Sequence, residues 1–243
     1  MKIAILTLVV GDDYIKRMHY SNLSKKEYCK KHSYTFIDDT SIIDKSRPIA
    51  WSKILLIKKY LHLFDYVVWI DADAMILNME HKIEDKIHFT EKKDICVTTV
   101  SGMINTGVMI IKNSLNSLKI LENVYSREEF IHDGNWEQSS FIYIYENNME
   151  NCRKHIKVCE EETFFLQCYL LDLKCGAFII HMAGFRPEHY DWLLKKIFER
   201  LYPLIRNEET EEHYRARMEW YNTQLENSIK LFYEKSPYEL IEI

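Results

Sequence analysis

Two aspartates, Asp71 and Asp73, directly follow an apolar and β-branched run at residues 66–70. Side chains two positions apart on an extended backbone point to the same side, so both carboxylates could bind one divalent cation while Ala72 points back toward the protein. Hard oxygen ligands suit Mg²⁺ or Mn²⁺, and phosphate oxygens usually complete the shell of such an ion. The pair therefore predicts a metal site that holds a nucleotide diphosphate.

A capped turn is the alternative interpretation, in which Asp71 and Asp73 only accept hydrogen bonds from backbone amides. Burying two carboxylates near one another is costly unless a cation or hydrogen-bond donors offset the cost. Because the pair comes immediately after an apolar strand, metal binding is the stronger hypothesis.

A second apolar run, residues 179–180, also ends in polar groups. His181 could supply one imidazole to the metal, although a lone histidine at a strand end more often makes only structural hydrogen bonds. Gly184 would let the backbone approach a phosphate closely, and Arg186 presents a fork of donors suited to phosphate oxygens. Together these residues favour a diphosphate-binding corner.

Two more polar groups could contact a sugar. Asn105 and Gly107 lie near a strand, where such residues usually form a turn, but in a cleft the Asn105 amide could bind sugar hydroxyls. Trp136, Glu137 and Gln138 stand at a predicted helix start, where Glu137 could simply favour the helix dipole. Aromatic faces stack on pyranose rings, while carboxylates and amides bind hydroxyls, so a sugar-binding corner is the functional interpretation.

Strands and helices alternate along the part of the chain that must position these residues. Strands are predicted at residues 2–10, 34–37, 66–70, 94–98, 107–111, 163–168 and 177–180, and helices at 14–32, 51–63, 114–125 and 137–145. This alternation favours an α/β fold with a mainly parallel sheet and helices on both faces.

The C-terminal part of the chain has a different pattern. A long helix is predicted over residues 208–234, where apolar residues recur by threes and fours. We therefore expect a catalytic domain over residues 1–200 and a helical extension over 201–243. The apolar stripe of this helix is expected to pack on its own domain, with a homodimer or membrane contact as the alternatives.

Composition excludes several classes of protein. The chain has 243 residues, of which 47% are hydrophobic, which is enough for a sizeable core. A net charge of −5 argues against a nucleic-acid-binding protein. The sequence has no apolar run of the roughly 18 residues that a membrane span needs, and no signal peptide. Its six cysteines form no CxxC pair. A cytoplasmic location is the expectation.

Five ordered blocks resemble a known family, glycosyltransferase family 34, across residues 3–186. The family holds the yeast-type Golgi α-galactosyl- and α-mannosyltransferases and the plant xyloglucan α-xylosyltransferases. Five blocks in one order are far more specific than a single D-x-D. The blocks are Trp51–Lys53, Trp69–Ala74, Asn105–Met109, Trp136–Gln138 and His181–Gly184.

The resemblance implies a GT-A fold with a Rossmann-like sheet, and transfer of a hexose or pentose from a nucleotide sugar to a glycan hydroxyl with retention of configuration. It implies Mn²⁺, with Mg²⁺ as the alternative, and a UDP-sugar is favoured over GDP-mannose. The acceptor would be an oligosaccharide or a glycan on a larger molecule.

The family's site positions map onto named residues of this sequence. The implied metal ligands are Asp71, Asp73 and His181, and the implied catalytic residues are Gln138, Glu137 and Arg186. The residues implied to contact the nucleotide sugar are Thr7, Leu8, Val9, Tyr14, Lys53, Asp71, Ala72, Asp73, Asn105, His181, Gly184 and Arg186.

The mechanism and the activity leave alternatives open. Retention could follow a front-face attack, which we favour because Gln138 is a poor nucleophile, or a double displacement through Glu137. A glycogenin-like family 8 transferase and a catalytically silent sugar-nucleotide-binding module are the rival functions. Eukaryotic members of family 34 usually carry an N-terminal membrane anchor, whereas this sequence begins at its first predicted strand. Two expectations stay open: a natively soluble enzyme, which the initial Met1 favours, or a chain from which the anchor was left out.

Overall fold

This computed structural model describes residues 1–90, 93–100, 102–159, 166–169, 178–184 and 194–195. Residues 163–165 of the strand predicted at 163–168, Arg186 and the predicted C-terminal helix lie outside the described residues. The proposed domain boundary at residue 200 lies outside them too.

A six-stranded central sheet organises the fold, with the strand order β2-β1-β3-β6-β5-β7. Strand β6 is antiparallel to both of its neighbours, β3 and β5, whereas the other three pairings are parallel. The predicted mostly parallel sheet is therefore confirmed. The strands are β1 Ile3–Thr7, β2 Thr35–Asp38, β3 Tyr66–Ile70, β5 Ile95–Val100, β6 Met103–Lys112 and β7 Ile156–Cys159.

A second, smaller sheet lies next to the aspartate pair. Its strands are β4 Ala74–Ile76, β8 Cys168–Tyr169 and β9 Ile179–His181, in the order β4-β9-β8. Strand β9 is antiparallel to β4 and parallel to β8.

Helices flank the central sheet, and most of them were predicted. They are α1 Asp12–Arg17, α2 His19–His32, α3 Ser52–Leu61, α4 Ile83–Phe89, α5 Leu115–Ser126 and α6 Glu137–Glu146, with 3₁₀ turns at Thr40–Ile42, Ile49–Trp51, Glu128–Phe130 and Met149–Lys154. The helix predicted over 14–32 divides at Met18 into α1 and α2. None of the helices in the described ranges is long and apolar enough to cross a membrane.

Two apolar clusters cover the two faces of the sheet, because successive side chains on each strand alternate between them. One cluster contains Leu6, Val67 and Trp69 together with residues of α3, α5 and α6. The other contains Ile5 and Val68 together with residues of α2 and α4. The central strands β1 and β3 are thus buried on both sides, as expected for a sheet with helices on both faces.

Candidate active site

The small sheet carries His181 to the aspartate pair, although the two are far apart in sequence. Asp71 follows β3, and its N–H donates a hydrogen bond to the Gly107 carbonyl at 2.7 Å. The chain then turns into β4, where Ala74 lies opposite His181 in the antiparallel pairing. The Met182 N–H donates to the Asp73 carbonyl at 3.2 Å, which extends this pairing to the second aspartate.

Asp71, Asp73 and His181 form a group that could hold a metal ion. One ligand atom from each residue lies within 4.8 Å of the other two. The Nε2 atom of His181 is 3.3 Å from Asp73 Oδ1 and 3.9 Å from Asp71 Oδ2. Two carboxylates with one imidazole suit Mn²⁺, since that ion accepts both oxygen and nitrogen ligands.

The electrostatics of this group favour a positive charge between its atoms. Burial by itself would raise the pKa of Asp73, but His181 outweighs burial and lowers that pKa below its ordinary value. Burial by itself would lower the pKa of His181, but Asp73 and Asp71 raise it. Either a proton or a metal cation would satisfy this arrangement.

Lys53 links the three candidate metal ligands to Glu137. Its ammonium lies 2.6 Å from Glu137 Oε1 and 3.2 Å from Asp71 Oδ1, and the side chain is buried in the first turn of α3. Burial alone would lower the pKa of Lys53, but the two carboxylates raise it, so the side chain stays charged. Lys53, predicted to contact the nucleotide sugar, thus contacts two carboxylates of the site.

Glu137 and Gln138 begin α6 and are held against β6. The Thr106 hydroxyl donates to Glu137 Oε1 at 3.2 Å, and the Thr106 N–H donates to Gln138 Oε1 at 3.0 Å. Among the described residues the other carboxylate oxygen, Glu137 Oε2, is buried without a hydrogen-bond partner. Burial raises the pKa of Glu137 although Lys53 opposes that shift. A buried acceptor without a donor fits a site that a ligand completes.

The turn that Asn105 and Gly107 usually form is absent here, because these residues lie inside β6. The Gly107 N–H donates to Asn105 Oδ1 at 2.8 Å, so this oxygen is already engaged within the protein. A Cβ atom on Gly107 would lie 2.1 Å from His181 Cε1. Glycine is therefore present to make room for the imidazole ring, and not to form a turn.

The residues implied to line the nucleotide lie at the same edge. Thr7 ends β1 beside β3, and its hydroxyl is buried without a hydrogen-bond partner among the described residues. Val9, after the buried Leu8, donates its N–H to Asp38 Oδ1 at 3.3 Å. Burial, and to a lesser extent Asp73 and Asp71, raises the pKa of Tyr14, which places its side chain in the field of the two carboxylates.

Two further residues from the sequence analysis lie on exposed backbone. Gly184 has a φ of 77°, a conformation that favours glycine, with open space where a side chain would be. Trp136, directly before α6, is 44% exposed and has a φ of 50° and a ψ of −123°. Strained non-glycine backbone of this kind clusters at functional sites.

Sequence reasoning assigned no role to three side chains that, within the described ranges, contact the candidate metal ligands. The Lys25 ammonium, on α2, donates to the carbonyls of Asp71 at 2.8 Å and Ala72 at 3.2 Å. The Trp69 indole donates to Asp71 Oδ1 at 2.6 Å, and Gln167 contacts His181. Trp69 could have been found, since it shares a strand face with Asp71, whereas no local pattern marks Lys25 or Gln167.

Comparisons with known proteins point to a family of glycosyltransferases. Residues 2–93 match the galactosyl transferase GMA12/MNN10 family, which is glycosyltransferase family 34. Galactomannan galactosyltransferase 1 of Cyamopsis tetragonoloba is 25% identical over 125 residues, covering 46% of this chain and 28% of that relative. The chain thus matches less than a third of the length of this relative.

The fold also matches a solved glycosyltransferase, one involved in the glycosylation of the major capsid of PBCV-1. The TM-score is 0.67 at 18% identity, and the match covers 81% of this chain and all of the other. This likeness establishes the fold alone. The family match and the curated relative, in turn, confirm that the chain resembles glycosyltransferase family 34, with residues 2–93 carrying the family pattern.

Proposed function

We propose that this protein is a metal-dependent, retaining glycosyltransferase that moves a hexose or pentose from a nucleotide sugar to a glycan hydroxyl. The observation that carries the proposal is the convergence of Asp71, Asp73 and His181 within 4.8 Å. The buried Lys53–Glu137 pair beside them supplies further polar groups at the same place. The family match supports the same reaction class.

Asp71, Asp73 and His181 are the proposed ligands of Mn²⁺, with Mg²⁺ as the alternative. Bound there, the cation would supply Lewis-acid stabilisation of the negative charge that develops on the diphosphate leaving group. The guanidinium of Arg186 is proposed to bind the same diphosphate, as its place in the family pattern implies.

Glu137 and Gln138 are proposed to contact the donor sugar. The Lys53 ammonium holds Glu137 Oε1 at 2.6 Å, while Oε2 is left as an acceptor for a sugar hydroxyl. A carboxylate neutralised by an ammonium is a weak nucleophile. This pairing favours the front-face route, in which the leaving phosphate oxygen takes the acceptor proton as the acceptor oxygen bonds to the anomeric carbon.

Glu137 and Gln138 would then orient the sugar and stabilise its developing positive charge.

A UDP-sugar is the proposed donor, with GDP-mannose as the competitor. The curated relative is named a galactosyltransferase, which makes UDP-galactose the first donor to test. The proposed nucleoside contacts are the backbone of the first strand through Val9 and the buried Thr7 hydroxyl. This hydroxyl has no hydrogen-bond partner in the part of the chain that the structure describes. The acceptor is proposed to be an oligosaccharide or a larger glycan.

Calorimetric titration of UDP with and without Mn²⁺ tests the binding half of this proposal. We expect UDP to bind in the presence of Mn²⁺ and to bind much more weakly in EDTA, because the diphosphate completes the metal shell. Equal UDP affinity in both buffers would contradict a metal bridge between the aspartates and the diphosphate.

A further inference from the structure

Gln167 joins two parts of the site that the proposed mechanism does not connect. It directly precedes β8, and its side chain is only 1% exposed. Its Nε2 atom lies 3.0 Å from Asn105 Oδ1, and its Oε1 atom lies 2.8 Å from His181 Nδ1. The amide therefore bridges β6 and β9.

The direction of each hydrogen bond between Gly107, Asn105, Gln167 and His181 follows from one backbone donor. The Gly107 N–H can only donate, so the Asn105 side-chain atom 2.8 Å away must be the oxygen. The Gln167 atom that faces this oxygen must be the amide nitrogen, which donates. The remaining Gln167 atom is then the carbonyl oxygen, an acceptor, and it faces His181 Nδ1.

An acceptor opposite Nδ1 favours one tautomer of His181. With Nδ1 protonated, the neutral ring keeps an unshared electron pair on Nε2, the atom 3.3 Å from Asp73 Oδ1. The other tautomer would place two acceptors face to face at Gln167. It would also put a hydrogen on the nitrogen that the metal needs.

We propose that Gln167 is a positioning residue that holds His181 as the Nδ1–H tautomer, with Nε2 free to bind the metal. This inference rests on the proposed metal site for its functional meaning. Without a metal, Asp73 Oδ1 at 3.3 Å favours a proton on Nε2 while Gln167 favours one on Nδ1, so the effect of Gln167 is read as a difference between variants. Outer-shell partners of a histidine ligand typically account for a tenfold to hundredfold change in metal affinity.

The tautomer can be read by nitrogen NMR of the metal-free protein at alkaline pH, with labelled histidine and His181→Ala to assign the signal. We expect a larger fraction of the Nδ1–H tautomer in the wild type than in Gln167→Met, because Gln167 Oε1 opposes the pull of Asp73 on the Nε2 proton. Asn105→Ala leaves Gln167 in place but removes the acceptor that orients its amide, so it should shift the signal the same way. An unchanged His181 signal in the folded variants would overturn the inference.

Mn²⁺ titration followed by electron paramagnetic resonance gives the second readout. Gln167→Met should weaken Mn²⁺ binding by about tenfold to hundredfold. The same change in a His181→Ala background should cost nothing further, because Gln167 acts through that ring. Equal losses in both backgrounds would show a merely structural role and overturn the inference.

Two variants complete the design. Gln167→Glu keeps an acceptor for Nδ1, so we expect it to bind Mn²⁺ at least tenfold more tightly than Gln167→Met. Equal affinities would count against the tautomer argument. Thr98→Val is the control, because Thr98 pairs with Asn105 across the strands and its buried hydroxyl has no hydrogen-bond partner among the described residues.

Wild-type protein that binds no Mn²⁺ would overturn the proposed metal site and with it the functional meaning of Gln167. The NMR signal would still decide whether Gln167 fixes the tautomer of His181, so the two failures are distinguishable.

Discussion

Charge balance at the level of single residues explains why the site would hold a cation. Three carboxylates (Asp71, Asp73 and Glu137) lie together with Lys53 and Lys25. Burial lowers the pKa of Lys25 to about 7, and even with both lysines charged one negative charge is left over while His181 is neutral. Such an excess is costly where water is scarce. A divalent cation with a bound diphosphate would resolve it, whereas a purely structural ion-pair cluster would tend toward equal numbers of charges.

The first prediction concerns Asp73→Asn, which removes one of three proposed protein ligands. We expect Mn²⁺ affinity to fall by more than the about tenfold to hundredfold that outer-shell residues cause, and donor turnover to be lost. Mn²⁺ titration and nucleoside diphosphate release measure the two effects. Asp13→Asn is the matched control, since the Asp13 side chain is 84% exposed. Wild-type turnover by Asp73→Asn would contradict the metal assignment.

The second prediction concerns Lys53→Met, which leaves Glu137 buried without its ammonium partner. Removing one partner of a buried ion pair typically costs about 3–5 kcal/mol of unfolding free energy. Urea unfolding measures this change. Lys58→Met, which breaks the more exposed pair with Glu122, should cost no more than about 1 kcal/mol. Equal costs for the two variants would show that Lys53 does not stabilise the site.

At the level of elements, the local patterns predicted most strands and helices but not how the small sheet forms. The apolar runs before Asp71 and around residues 179–180 identified β3 and β9 correctly. Strand β4, only three residues long, has no pattern of its own, because its structure depends on pairing with β9 more than 100 residues later. The apolar run before His181 suggested it as a possible ligand of the same metal, but only the family resemblance assigned it to the same ligand set as Asp73.

The Asn105–Gly107 segment shows why a local rule failed. Asn and Gly together usually favour a turn, yet here the strand continues through them from Met103 to Lys112. The reason is tertiary, since His181 from β9 packs against the glycine at a distance that excludes a Cβ atom. No pattern within β6 itself could reveal that neighbour.

Gly107→Ala gives the third prediction, on the contact between β6 and β9. A Cβ atom 2.1 Å from His181 Cε1 forces the imidazole or the strand to move. We expect a loss of about 1–3 kcal/mol of unfolding free energy, as for overpacking, together with weakened Mn²⁺ binding. Thermal unfolding and Mn²⁺ titration provide the measurements.

Gly134→Ala is the matched control, because its added Cβ would meet nothing within 4 Å. It should leave both stability and Mn²⁺ affinity nearly unchanged. A Gly107→Ala protein that binds Mn²⁺ like the wild type would mean that His181 does not need this space.

For the whole molecule, the sheet topology places the candidate site. Parallel strands β1 and β3 are neighbours, so Thr7 and Asp71 meet at the carboxyl edge of the sheet. Ligands of open α/β sheets commonly bind at that edge, and sequence alone could therefore predict the general place of the site. The sequence could not predict the contacts of Gln167 and Lys25 with the site, because neither residue belongs to a recognisable chemical motif.

Acid stability gives the fourth prediction, through a cluster away from the metal group. Hydrogen bonds from Ser46 and Tyr125, with Arg47 nearby, lower the pKa of Asp44 from 3.8 to about 2. A carboxyl with a lowered pKa in the folded state contributes stability above its unfolded pKa, and loses that contribution as pH falls toward 2. Urea unfolding between pH 6 and pH 2 measures the loss.

Asp44→Asn should reduce the unfolding free energy by about 1–3 kcal/mol at pH 6 and flatten the decline below pH 4. The same decline in the variant and the wild type would show that other carboxyl groups are responsible.

The most direct test of the central claim is nucleoside diphosphate release from a panel of UDP- and GDP-sugars, each with Mn²⁺ and with EDTA. We predict release from a UDP-sugar that requires Mn²⁺ and disappears in EDTA, because the proposed ligands Asp71, Asp73 and His181 would bind the diphosphate only through the cation. Release that persists undiminished in EDTA would contradict the metal site. Absence of release from every donor, including with oligosaccharide acceptors present, would contradict the transferase itself.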